Sequence, residues 1–108
     1  MRKYKQVAFE VFQAYKDCND GQSFGERNLN FRAFRPVPAK VASEIMAKAV
    51  PYGYNNFTAD LLGKIKGDIL LAREGSVCVY VEPGAVAEHE LGEDEYNVID
   101  GKLRLWWD

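Results

Sequence analysis

The chain has 108 residues, of which 47% are hydrophobic and 13% are aromatic, and its formal net charge is −2. This length matches one domain, and this composition is enough for a core and argues against intrinsic disorder. No apolar run reaches the ~18–20 residues that span a bilayer. Polar residues also interrupt the N-terminal segment, where a secretory signal needs a continuous apolar stretch. We therefore expect a single cytoplasmic domain over residues 1–108.

Charge is distributed unevenly along the chain. Residues 1–50 carry nine Lys/Arg and five Asp/Glu, a balance of +4, whereas residues 51–108 carry five and eleven, a balance of −6. Such an asymmetry can steer a charged partner. The two cysteines, Cys18 and Cys78, form neither a disulfide framework nor a metal-ligand pair, and we expect Cys78 to be a small buried residue on a strand.

Periodicity in the first half predicts two helices with a strand between them. Apolar residues recur at helical spacing over residues 3–17, and Asn-Asp-Gly ends that helix. Residues 29–34 alternate as a strand, which Pro36 and Pro38 should end because neither can donate to a ladder. Pro38 also suits the first turn of a second helix over residues 38–49.

An aromatic loop over residues 51–60 leads into a third, weaker helix. Asn56 or Thr58 can cap this helix, and we expect it to end near Lys66 because two glycines weaken it. The alternative is one helix that continues through both glycines to Arg73.

The rest of the chain is rich in β-forming residues. Residues 68–72 and 76–82 flank Arg-Glu-Gly as a hairpin, and the second of these segments should be a central strand. Residues 85–91 are a candidate for a further strand. The Asp-Gly pair between residues 96–99 and 102–107 predicts a type I′ hairpin, whose two turn residues both need positive φ.

On the last strand, Arg104 and Trp106 share one face, and the other face carries Leu103, Leu105 and Trp107. The order of elements predicts an α+β fold. In this fold, two to three helices pack on one face of a mostly antiparallel sheet of about four to five strands, which ends in a β-meander with the Asp-Gly hairpin.

One segment concentrates negative charge more than any other. Residues 88–95 hold five carboxylates in eight positions: Glu88, Glu90, Glu93, Asp94 and Glu95. Close like charges repel and raise one another's pKa, so a fold keeps them where water hydrates them or where a basic partner compensates them. The segment is either a solvated hairpin loop or a recognition surface that attracts an Arg/Lys groove and gains association rate.

The sequence offers little support for catalysis or metal binding. His89, the only histidine, lies between Glu88 and Glu90 on a segment expected to be a strand, whose successive side chains point to opposite faces. The spacing does not match a calcium loop, and no phosphate-binding loop is present. Neither cysteine has local support for a pairing with His89. We expect no catalytic residue, no metal and no cofactor.

We therefore interpret the chain as a small acidic protein-binding protein without catalytic activity, an inhibitor or adaptor that occludes a basic surface of a larger macromolecule. The predicted partner-binding residues are the five carboxylates and three aromatic anchors: Tyr52, Tyr54 and Trp106. By analogy of size and charge alone, such domains occur among proteins of phages and mobile elements, for example as inhibitors of CRISPR or restriction machinery.

Two alternatives stay open. The first is a small enzyme or ligand-binding domain with a pocket near three aromatic residues: Tyr52, Tyr54 and Phe57. The second is a single-stranded nucleic-acid binder that uses three arginines interleaved with phenylalanines: Arg27, Arg32 and Arg35. Negative net charge weighs against the second alternative, which also needs these arginines on one exposed surface. Phe31, between them, should face the core.

Overall fold

The structure, a computed structural model, describes residues 2–19, 30–51 and 56–107. A 3₁₀ turn (Arg2–Tyr4) leads into helix α1 (Lys5–Asn19), and helix α2 (Ala39–Ala49) precedes a 3₁₀ helix (Ala59–Lys64). The strands are β1 (Asn30–Arg32), β2 (Val37–Pro38), β3 (Asp68–Glu74), β4 (Val77–Val81), β5 (Glu95–Ile99) and β6 (Lys102–Trp107).

All strands belong to one open sheet in the order β1-β3-β4-β6-β5, and β2 pairs with β3 beside β1. Every pairing is antiparallel. Because β4 and β5 are both antiparallel to β6, they run parallel to each other. Residues 82–94 must therefore cross over β6 to connect them, and we call this segment the crossover. The predicted α+β fold with a mostly antiparallel sheet is confirmed.

The main core lies between the helices and one face of the sheet. Helices α1 and α2 contact β3, and the same core contains the buried face of β6, which carries Leu103, Leu105 and Trp107. The Trp107 ring meets the Phe57 ring edge to face, with centroids 5.0 Å apart. Arg104 and Trp106 point to the opposite face, as predicted. We call that helix-free side the open face; it carries Leu70, Ala72, Glu74, Cys78, Tyr80, Arg104 and Trp106.

Most predicted elements are confirmed. Helices form where periodicity placed the first two, and β4 is a central strand whose residues are all buried. The turn residues of the last hairpin have the predicted positive φ, 53° at Asp100 and 79° at Gly101. Phe31 packs against the main core, as expected. Among the described residues, the helices lack a segment with the length and apolar character of a membrane span.

Two short elements differ from the predictions. The strand before Pro36 ends as predicted, at Arg32, but Val37 and Pro38 form a further short strand that pairs with Ile69 and Asp68. This pairing is possible because β2 lies at an edge, where a missing N–H needs no ladder partner. The third helix is a 3₁₀ helix that ends at Lys64, and Thr58 makes no side-chain hydrogen bond at its start.

The alternative of a single helix to Arg73 does not form, because φ is +93° at Gly67 and a strand follows directly. The candidate strand over residues 85–91 is also absent. Residues 85–91 form turns within the crossover and not a strand. They depart from a strand because His89 takes a left-handed φ of 64° and because Ala85 and Leu91 are both drawn into the main core.

Replacement of Gly101 by alanine should destabilise the protein by about 1–2 kcal/mol, because a side chain at its φ of +79° clashes with the following carbonyl group. Gly63→Ala is the matched control: Gly63 lies in the 3₁₀ helix without positive φ and with open space around a new Cβ. Urea denaturation of both variants checks the prediction. Equal stability of the two variants would contradict the type I′ turn.

Candidate functional site

The acidic run is organised around the buried carboxylate of Glu93. The Glu93 side chain is fully buried, and it accepts hydrogen bonds from the backbone N–H groups of His89 and, at 3.3 Å, Leu91. Burial of a carboxylate is tolerated here because two donors satisfy it. Leu91 is also buried, and its carbonyl accepts a 3.2 Å bond from Trp107 Nε1. The crossover is thereby fastened to β6.

The prediction that Glu93 faces a partner is therefore corrected, because its carboxylate points inward. The other four predicted carboxylates are exposed: Glu88, Glu90, Asp94 and Glu95. Sequence alone did not separate Glu93 from them, because its burial depends on the turn that brings two N–H groups to it. A neighbouring turn is closed in the same way by Glu90, which accepts a 3.2 Å bond from the Ala87 N–H.

The crossover also overturns the reasoning applied to His89. Side chains that would diverge on a strand converge here: His89 Nε2 lies 3.6 Å from Glu88 and His89 Nδ1 lies 3.6 Å from Glu93. In the described part of the chain, no group of three His, Cys, Asp or Glu residues is arranged to hold a metal ion. These contacts thus help to order an exposed turn.

Three of the predicted site residues come together where the crossover enters β5. The Asp94 N–H donates to the Trp106 carbonyl at 2.9 Å, and Glu95 lies directly opposite Trp106 in the ladder. The Glu95 carboxylate, half exposed, accepts a 2.7 Å bond from Arg104. Trp106 is partly buried on the open face and donates from Nε1 to the Glu74 carbonyl at 2.9 Å. Tyr52 and Tyr54 lie outside the described residues.

Glu74 is the centre of a polar network on the open face. Its carboxylate accepts hydrogen bonds from Tyr80 and, at 2.9 Å, from Arg104 Nε, and Arg32 stacks over the Tyr80 ring at 4.4 Å. Burial alone would raise the pKa of Glu74, but these hydrogen bonds and the two positive charges outweigh it and lower the pKa below its ordinary value. Beneath the network, burial raises the pKa of the Cys78 thiol to about 12, so Cys78 is a structural residue.

The first alternative, a small enzyme or ligand-binding domain, placed a pocket near Phe57. Phe57 is fully buried against Trp107, so its ring fills the core. Two open grooves of about 420 and 320 Å³ lie on the open face, and each contains an ion pair: Arg32 with Glu74, and Lys102 with Glu82.

The arginines of the nucleic-acid alternative do not form the surface that it requires. Arg32 lies on the open face, whereas Arg35 stacks on Tyr4 beside α1 at 4.9 Å, on the helix side of the sheet. Arg27 lies outside the described residues.

The edge strand β5 is a feature that sequence reasoning missed. Within the described chain it pairs with β6 alone. A two-residue turn is closed by a hydrogen-bonded pair, Ile99 with Lys102, and such pairs alternate along the ladder. The backbone groups of Tyr96 and Val98 therefore point away from β6. Val98 is 62% exposed and Ile99 37% exposed.

The candidate site is therefore the β5 edge together with the crossover beside it. We call this surface the acidic edge: Glu88, Glu90, Asp94, Glu95, Val98 and Ile99. Comparison of the chain with protein-family models, curated proteins and solved structures gave no match. The chemistry of the acidic edge is thus the basis for a functional proposal.

Glu93→Gln should destabilise the protein by about 1–3 kcal/mol, because an amide cannot accept both backbone hydrogen bonds without turning its own donors toward an N–H. Glu88→Gln, at an exposed position, should stay within about 0.5 kcal/mol of the parent. Urea denaturation measures both changes. Equal effects of the two variants would show that the Glu93 carboxylate does not organise the crossover.

The Glu74 network should make stability depend on pH. Because the folded-state pKa of Glu74 is lowered, its contribution is present above the ordinary value of 4.5 and is lost as pH falls through the lowered pKa. The advantage of the parent over Glu74→Gln should therefore shrink as the solution is acidified below that value. Tyr80→Phe, which removes one hydrogen bond, should move the loss to higher pH. Denaturation at a series of pH values tests this, and a constant difference would contradict it.

Proposed function

We propose that this protein is a small non-catalytic binding protein of the cytoplasm. It docks an extended basic segment of a larger protein on its acidic edge and thereby occludes that segment. The observation that carries the proposal is β5, which among the described residues is an outermost strand with unpaired backbone groups, two exposed apolar side chains and carboxylates at its ends.

The backbone of β5 supplies the first part of the argument. The outward N–H and C=O groups of Tyr96 and Val98 form a template to which an extended segment can add as a further antiparallel or parallel strand. In this mode main-chain hydrogen bonds provide affinity, and alternate side chains provide specificity. An added strand would also cover the exposed side chains of Val98 and Ile99.

The charges select the kind of segment. Soluble proteins commonly protect an edge strand with lysine or proline, and β5 contains neither. Asp94 and Glu95 lie at its start, Asp100 lies in the turn at its end, and Glu88 and Glu90 are exposed on the crossover. Carboxylates at both ends repel a second acidic edge and attract lysine and arginine.

This proposal keeps the predicted acidic surface and replaces its internal member, Glu93, with the β5 edge. Trp106 lies beside Glu95 and can contact a side chain that crosses to the open face. Tyr52 and Tyr54 stay predicted anchors. An inhibitor of nucleic-acid-handling machinery such as CRISPR or restriction enzymes, encoded by a phage or another mobile element, is one version of this function, since such machinery presents basic segments.

A fluorescent peptide of alternating lysine and valine tests the proposal. The parent protein should bind it, and a peptide of alternating glutamate and valine should not bind. Val98→Pro removes an outward N–H without breaking the ladder to β6, so binding of the lysine peptide should weaken about tenfold or more. Val98→Thr, which keeps the N–H group and a branched side chain, is the matched control. Fluorescence anisotropy at low and physiological ionic strength measures the affinities.

Neutralisation of the exposed carboxylates (Glu88→Gln, Glu90→Gln and Asp94→Asn) should slow association and reduce its dependence on salt. Binding that is unchanged by both Val98→Pro and this neutralisation would contradict the proposal. If neutralisation weakens binding and Val98→Pro does not, the acidic surface binds the peptide without strand addition.

A further inference from the structure

A second exposed surface, opposite in charge to the acidic edge, lies beside the start of α1. It contains the two most exposed aromatic side chains of the described residues, Phe9 at 60% and Phe34 at 58%. Large apolar groups that are left in water at several neighbouring positions mark interaction sites more often than single ones do. Neither ring is needed to complete the core, which closes without them.

A chain of contacts joins these two rings. Phe9 borders a groove of about 540 Å³ together with Lys3, Lys5 and Gln6. Arg35 donates a hydrogen bond to the carbonyl of Lys3, and its guanidinium stacks on Tyr4 at 4.9 Å and on Phe34 at 5.6 Å. The groove and the stacked arginine therefore form one surface, which we call the basic–aromatic patch: Lys3, Tyr4, Lys5, Phe9, Phe34 and Arg35.

The positive charges of the patch are not neutralised within the described chain, where none of Lys3, Lys5 and Arg35 forms an ion pair. The nearest carboxylate on α1, Glu10, is 3.3 Å from Gln6. Lys5 also stands at the positive end of the helix dipole, and no acidic residue occupies the first turn. Lys3 lies over the Tyr4 ring at 5.7 Å, and no carboxylate of the described chain compensates the charge of either lysine. A bound anion would supply that compensation.

We infer that the basic–aromatic patch binds single-stranded nucleic acid. Cations hold phosphates, and exposed rings stack on unpaired bases, which is the combination used for single strands without strict sequence preference. The groove between the lysines and Phe9 gives a strand a path toward Phe34. An anionic membrane fits less well, because the outward side of α1 carries Lys5, Gln6 and Phe9 and lacks the continuous apolar stripe of an interfacial helix.

This patch differs from the nucleic-acid-binding surface predicted from the sequence, which used Arg27, Arg32 and Arg35. Of these arginines, the patch uses Arg35, together with Phe34, while Arg32 lies on the open face of the sheet. The lysines come from the 3₁₀ turn and the start of α1, and Lys3 meets Arg35 only through the fold. The inference also stands apart from the acidic edge, since the two surfaces share no residue.

A fluorescent oligothymidylate of about twelve nucleotides tests the inference by anisotropy against the intact protein. Binding should be in the micromolar range, and the slope of log K against log salt should be about −2, as about three neutralised phosphates require for a single strand. Phe9→Leu and Phe34→Leu keep an apolar side chain without a ring, and each should weaken binding about tenfold. Both positions are exposed, so folding should be preserved.

Charge-matched double variants separate the patch from net charge. Lys3→Gln with Lys5→Gln should weaken oligonucleotide binding at least tenfold, whereas Lys48→Gln with Lys64→Gln, at exposed lysines of other elements, should change it less than twofold. Val98→Pro should leave it unchanged. Equal effects of the two doubles, no effect of either leucine variant, or binding to anionic phospholipid vesicles without binding to the oligonucleotide would overturn the inference.

Discussion

Burial of one face of β6 in the main core is the constraint on which the rest of the structure depends. Leu103, Leu105 and Trp107 fill the main core, and the two-residue period of the strand then sends Arg104 and Trp106 to the open face. The hairpin adds β5 beyond β6, and Val98 is left mostly in water although it lies on the helix side of the sheet. The exposed edge is thus a consequence of where the helices stop.

The crossover is held to the same core and carries most of the exposed carboxylates of the acidic run. It runs over β6, and Leu91 and Trp107 hold it to the core. The Glu93 carboxylate accepts two backbone hydrogen bonds within the turn. The other carboxylates of the run are exposed near the start of β5. An acidic run that reads as one cluster in the sequence therefore divides into one internal acceptor and a set of surface charges. Only the second set can meet a partner.

Local patterns predicted the parts of this fold that depend on neighbours in sequence. The helices, the central strand and the Asp-Gly hairpin follow from periodicity and turn chemistry, and the faces of β6 follow from alternation. What depends on distant residues was missed, namely the pairing of Val37 with Ile69 and the edge position of β5. The burial of Glu93 was also missed, although its hydrogen bonds are local, because the turn that forms them was predicted to be a strand. The basic–aromatic patch was also hidden, because Lys3 and Arg35 meet only through tertiary structure.

Amide hydrogen exchange along β5 in the free protein is the most direct measurement of the central claim, which is that this strand offers an unpaired edge. The N–H groups of Asn97 and Ile99, which face β6, should be protected, whereas those of Tyr96 and Val98 should exchange rapidly. Addition of the lysine–valine peptide should then slow exchange at Val98. Protection of Val98 equal to that of Asn97 in the free protein would show that the edge is already covered, and this would contradict the account.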